Sequence, residues 1–198
     1  MAFDRRRKKK TDYVQRLALL KSDKPRLAIR KTLNNFHLQV IILETTGDRT
    51  EVEVFSKALK KYGWKGHGGN LPAAYLTGYL AGLMALKKNI KEANVDIGLQ
   101  MSVKASGLYA AAAGARDAGL IIPLGKEAIP KMDRISGKHI AEYAQKLKSD
   151  GEKYKKQFSG YIKAGLQPED LPKHFQEVKD KINAEFGAKT KKEVEVAK

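Results

Sequence analysis

PRLAIRKTLNNFHLQVIILETTGDRTEVEVF, residues 25–55, alternates apolar and polar residues through three short runs. Leu27 and Ile29 face one way, and Arg26, Ala28 and Arg30 the other. Phe36, Leu38, Val40 and Ile42 share one face, with His37, Gln39 and Ile41 opposite. A period of two is the signature of a strand with one buried face. Asn34-Asn35 supplies a turn, because Asn tolerates positive φ. TTGDRT supplies a second, and EVEVF is the third strand. The stretch predicts an antiparallel meander of three strands with a single apolar face.

Downstream the period changes to helical. Ser56 is placed to cap SKALKKY, and Gly63 to end it. GWKGHGGN is a glycine-rich loop, and LPAAYLTGYLAGLMALKK a long helix with Pro72 in its first turn. Residues 66–86 carry no formal charge, yet the apolar part, 71–86, falls short of the roughly 20 residues a bilayer needs. It therefore reads as a buried helix, with Gly78 and Gly82 allowing close approach to a sheet. VDIGLQM reads as a buried strand, GLYAAAAGARDA as a helix closed by Gly119, and LIIP as a buried parallel strand stopped by Pro123. Strand, helix, strand implies a right-handed crossover. The fold class is α/β: a three-strand meander extended by a parallel βαβ unit.

The flanks differ from this core. Residues 1–24 read as a basic arm and a short helix over 13–21, ended by Pro25. Residues 25–135 form the α/β body, and 136–198 a helical extension. In the extension, Ile140, Tyr143, Ala144 and Leu147 share one helix face. Ser149 and Glu152 have capping-box spacing ahead of a helix carrying Tyr154, Phe158, Tyr161 and Ile162. Leu171, Phe175, Val178, Ile182 and Phe186 stripe a third helix, and AKTKKEVEVAK reads as a frayed tail. These stripes need a surface, either the body or a partner.

The net charge is +17 over 198 residues, which calls for anionic partners. It is uneven: residues 1–31 hold twelve Lys+Arg and three Asp. Arg5, Arg6, Arg7, Lys8, Lys9 and Lys10 form an unbroken run, which stays solvated and unordered unless something neutralises it. The absence of Cys excludes disulfides, thiolate metal sites and thiol catalysis. No apolar segment of the signal-peptide kind follows the basic start. The four His residues show no paired metal spacing. GLIIPLGKE has five residues between its glycines, and Glu127 stands where a phosphate loop needs Ser or Thr. Asp96 would suit a ribonuclease H-type magnesium site only with further carboxylates on matching strand ends. The alternative is that it caps or forms a local salt bridge.

What remains is a binding surface. Arg26, Arg30, His37 and Gln39 share one sheet face beside Asn34 and Asn35. Guanidinium groups take phosphates bidentately, and planar groups stack on unpaired bases. Trp64, in the glycine-rich loop, is either a second contact or an anchor of that loop on the core.

The stretches KTDYVQRLALLKSDKPRLAIRKTLNNFHLQVI, YGWKGHGGNLPAAYLTGYLAGLMA, VDIGL, ARDAGLIIP and GKHIAEYAQKL together closely resemble the large-subunit ribosomal protein L-eighteen family in its archaeal form, the counterpart of eukaryotic L-five. EKYKKQFSGYIKAGLQPEDL looks like the carboxy-terminal helices of the eukaryotic counterpart. The resemblance implies a non-enzymatic constituent of the cytoplasmic ribosome, without cofactor, that binds 5S rRNA. It also implies attachment of that RNA in the central protuberance, beside 23S rRNA and neighbouring large-subunit proteins, and a ribonuclease H-like core without catalytic carboxylates. Implied contacts are Arg5, Arg6, Arg7, Thr11, Tyr13, Arg16, Lys24, Arg26, Arg30, Asn34, Asn35 and His37. Lys8 and Lys9 stand where relatives vary, and the loop with Lys104 and Ser106 departs from the family pattern. No membrane or small-molecule substrate is expected. The competing readings are a metal-dependent nuclease on the same core and a sequence-neutral nucleic-acid-compacting protein.

Overall fold

The computed structural model describes residues 3–187. Its centre is an open four-stranded sheet: β1 (Arg26–Lys31), β2 (Phe36–Glu44), β3 (Gly47–Phe55) and β4 (Asn94–Asp96), in the order β3-β2-β1-β4. The meander forms as its alternation requires. Arg30 pairs with His37, Ala28 with Gln39 and Arg26 with Ile41, so side chains from both strands share a face. The register passes from Val40–Val52 to Ile41–Thr50 and skips Glu51, a bulge that bends β3. β4 lies parallel to β1, with Ala28 opposite Asp96. On the inner face Leu27, Ile29, Phe36, Leu38, Val40, Val52 and Val54 are buried.

Two helices precede the sheet, α1 (Asp4–Arg7) and α2 (Tyr13–Leu20). The basic run, expected to be unordered, adopts one exposed helical turn with Asp4 at its N-terminal end, where a carboxylate suits the helix dipole. Asp12 caps α2 by accepting from Val14 N and Gln15 N. After β3, Ser56–Tyr62 winds as a 3-10 helix ended by Gly63 at φ +87°. Ser56 does not cap it. Its hydroxyl accepts from Phe36 N and donates to Asn35 Oδ1, tying the β1–β2 turn to the end of β3.

The inner face is covered by α3 (Leu71–Lys87) and α4 (Gly107–Asp117). Asn70 caps α3, with Pro72 in the first turn. Gly78 and Gly82 let α3 lie close to another helix, not to the sheet as expected. A Cβ on Gly78 would stand 1.8 Å from Ala111 O, and one on Gly82 2.7 Å from Ala115 O. Gly114 of α4 reciprocates against Tyr75 O. The Ala-rich run thus supplies a surface smooth enough for two backbones to touch.

Two strand expectations are corrected. Leu120–Ile122 does not extend the sheet; it contributes one parallel bridge, Ile121 to Glu92, while Leu120 and Ile122 turn into the core. VDIGLQM is a strand only as far as Asp96. The Asp96 carboxylate accepts Gly98 N at 2.8 Å, and Gly98 at φ +60° turns the chain away, leaving Leu99 and Met101 exposed.

The carboxy-terminal region comprises α5 (Met132–Ile135), α6 (Lys138–Leu147), α7 (Gly151–Gln157), α8 (Ser159–Lys163) and α9 (Leu171–Ile182). Asp150, not Ser149, caps α7 by accepting Lys153 N. The helix expected across 154–162 breaks at Phe158 into α7 and α8. Leu171, Phe175, Val178 and Ile182 are buried in the same core as the sheet, so the body itself is the surface that the α9 stripe needs. The AKTKKEVEVAK tail lies outside the described residues.

Candidate nucleic-acid interface

The polar face of the sheet is the floor of a cleft of about 500 Å³. Arg26, Ala28 and Arg30 of β1 and Gln39 and Ile41 of β2 form that floor. One wall is the arm and α2, through Arg5, Lys10, Thr11, Asp12, Gln15, Arg16 and Leu19. The other wall is the turn after β4, Gly98–Gln100. The arm is held in place locally: Arg5 Nε donates to Thr11 Oγ1 at 2.8 Å, and Phe3 stacks on Tyr13 at 4.9 Å.

Charge in the cleft is ordered. Asp48 Oδ2 meets Arg16 Nη2 and Arg26 Nη2, each at 2.8 Å. Asp96 meets Arg26 Nη1 at 3.2 Å and Arg30 Nη2 at 3.0 Å. Three arginines therefore alternate with two carboxylates from α2 across β1 to β4. The middle one, Arg26, is 3% exposed, and its Nε has no hydrogen-bond partner among the described residues. Burying a charge is strongly unfavourable unless it is paired, and Arg26 is paired on both sides.

The expected site residues separate into groups. Arg5, Lys10, Thr11, Arg16, Arg26 and Arg30 line the cleft. Arg6, Arg7, Lys8 and Lys9 sit on the exposed arm above it, where Arg7 and Lys8 pair with Asp4. His37 lies beyond the floor, stacked on Phe55 at 3.9 Å and bonded to Glu53, which also takes Gln39 Nε2. Asn34 is exposed at the β1–β2 turn, and Asn35 is half-buried, held by Thr32 and Ser56. Lys24 pairs with Glu92 at 2.6 Å beside the start of β4. Trp64 stands apart: it is 4% exposed, donates to His67 O and stacks on His174 of α9. Of the two readings of Trp64, this is the loop anchor. Lys104 pairs with Glu127, and Ser106 Oγ is buried with no partner among the described residues.

Gln15, Asp48, Gly98 and Gln100 were not anticipated. Gln100 accepts Lys31 N and donates to Lys31 O, which continues the β1 edge with a side chain. The legible signal was VDIGL, where an Asp two residues before a Gly proposes a tight turn. The oxygens of Asp96 are taken by two guanidiniums and an amide, and among the described residues no group of three His, Cys, Asp or Glu could hold a metal ion.

Fold and cleft together define an α/β protein with a basic cleft braced from within by carboxylates. A family described as "Ribosomal large subunit proteins 60S L5, and 50S L18" matches residues 1–94, the part that contains the arm, the meander and α3. Large ribosomal subunit protein uL18 of Methanococcus maripaludis is 51% identical over 180 residues, which is 91% of this chain and 93% of that relative. The chain belongs to the uL18 family: it is a structural protein of the large ribosomal subunit, not an enzyme, and its place is the ribosome in the cytoplasm.

Proposed function

We propose that the cleft binds 5S rRNA and that the protein fastens this RNA to 23S rRNA and neighbouring large-subunit proteins in the central protuberance. The carrying observation is convergence. The arm, α2 and β1, successive in sequence, place Arg5, Lys10, Arg16, Arg26 and Arg30 around one groove. Arg16 and Arg30 keep side chains 34% and 41% exposed, so their guanidiniums are available to phosphate. Family membership supports ribosomal RNA as the ligand. A meander followed by a strand parallel to β1 supports a ribonuclease H-like reading of the core, with its strand carboxylate committed to arginine.

Binding should rest largely on counterion release and weaken steeply as salt rises. The test is a titration of the purified protein with a 5S rRNA transcript, a length-matched structured RNA and duplex DNA at physiological salt. Preference for 5S rRNA by at least about tenfold is expected, since specific nucleic-acid binding exceeds non-specific binding by larger factors. Equal affinity for all three would return the protein to the class of sequence-neutral binders.

A further inference from the structure

We infer that Asp96 is a positioning residue for RNA binding: it sets the outward edge of the Arg30 guanidinium, and Asp48 does the same for Arg16 across the cleft. This rests on the RNA reading of the cleft.

The geometry of Arg30 carries the inference. An arginine offers five N–H donors in a rigid fork. Nη1 donates to Ile29 O at 3.0 Å and to Asp96 O at 2.6 Å, and Nη2 donates to Asp96 Oδ1 at 3.0 Å. That consumes the end of the fork. It leaves Nε–H and the second Nη2 hydrogen, the side edge that grips a phosphate with two parallel bonds. Gly98 lies against the face of the guanidinium: a Cβ there would come within 2.9 Å of Arg30 Cζ, 3.1 Å of Nη2 and 3.2 Å of Nε. Asp96 is itself immobilised by Gly98 N and by Arg26 Nη1.

The network continues across the floor. Arg26 passes to Asp48, and Asp48 to Arg16 on α2. The buried middle arginine and its two carboxylates therefore fix the spacing of two exposed guanidiniums on opposite sides of the groove. Such a buried ion chain contributes little net stability compared with apolar packing. A network kept for stability alone would be poorly served by the Arg26 Nε, which has no partner among the described residues. Presetting long side chains, by contrast, removes ordering cost from the binding step.

The sign of one substitution separates positioning from simple electrostatics. A carboxylate in a phosphate-binding face repels RNA, so removing a merely tolerated one tightens binding. Asp96→Asn should instead weaken it by roughly tenfold, the cost of ordering one or two rotamer-rich side chains. No phosphate contact is deleted, so the plot of log affinity against log salt should move down without changing slope.

The experiment measures 5S rRNA transcript affinity at several salt concentrations for the full chain and for Asp96→Asn, Gly98→Ala, Arg30→Ala and the double variant Asp96→Asn/Arg30→Ala. Gly98→Ala displaces the guanidinium without altering any charge, and it carries the decision if Asp96→Asn does not fold, as a thermal melt will show. Parallel downward shifts for both single variants, with the Asp96→Asn loss abolished when Arg30 is already Ala, support the inference. Tightening by Asp96→Asn overturns it, as does an equal loss with and without Arg30. If the unmodified chain shows no preference for 5S rRNA over a length-matched RNA, the functional reading itself falls, and this is read before any variant.

Discussion

Removing residues 1–10 tests how much of the RNA clamp lies in the arm. The deletion takes away six basic side chains, Arg5 through Lys10, and leaves Asp12 to cap α2. No residue of α1 is buried, and residues 8–10 are exposed. Folding stability should therefore change by no more than about 0.5 kcal/mol, as for most surface changes. The effect on RNA is bounded by the structure. Only Arg5 and Lys10 line the cleft, while Arg7 and Lys8 pair with Asp4. Each phosphate contact contributes about 0.7 to 0.9 to the slope of log affinity against log salt. If only the two cleft residues clamp, the slope falls in magnitude by about 1.4 to 1.8. If the whole arm wraps the RNA, it falls by about 4 to 5. Anisotropy titrations of labelled 5S rRNA between about 50 and 200 mM salt resolve the two cases, because each lost contact removes a roughly threefold change across that range. An unchanged slope would refute the arm as a phosphate clamp and leave Arg16 of α2 and the sheet floor as the contacts.

Two further outcomes concern folding. Gly78→Ala forces a Cβ into Ala111 O and should cost about 1–3 kcal/mol, seen as a lower urea midpoint; an unchanged midpoint would mean that the α3–α4 contact is looser than described. His174 is held below its ordinary pKa by burial, with Glu177 opposing; its Nε2 accepts Lys65 N, so the native state keeps the ring neutral. The unfolded chain takes up that proton near pH 6.5, the native chain only lower. Stability is therefore complete above about pH 6.5 and falls as pH drops toward the native value, and His139, also lowered by burial, adds in the same direction. The urea midpoint at pH 5 should lie below that at pH 7.5, and His174→Gln should flatten the difference; a midpoint independent of pH would contradict a neutral buried imidazole.

Much of the fold was legible because its signals are local. Alternation in residues 25–55 yields the meander whichever partner completes the sheet, since a one-residue slip would expose Leu27 and Leu38. The Asn70 cap and Pro72 likewise mark the start of α3 in the chain itself. The strand expected at residues 120–122 failed for a non-local reason. An apolar run suits a buried strand or a buried segment equally, and only the tertiary structure shows that Leu120–Ile122 meets Glu92 at a single bridge. Gly78 and Gly82 announced close packing but could not name their partner, because an Ala-rich helix and a sheet both present a flat surface.

The candidate site divides in the same way. Unaided, the chain determines that positive charge gathers in its first 31 residues and that Arg26 and Arg30 share a sheet face, because charge and strand period are properties of the sequence. Tertiary structure alone decided which of those charges face outward. Arg26 is drawn inside by Asp48 and Asp96, residues 22 and 70 positions away, while Trp64 is covered by His174. The reason is physical. Whether a charged side chain is solvated, paired or buried depends on what the fold brings within a few ångströms of it, and the residues that brace this cleft come from strands and turns far apart along the chain.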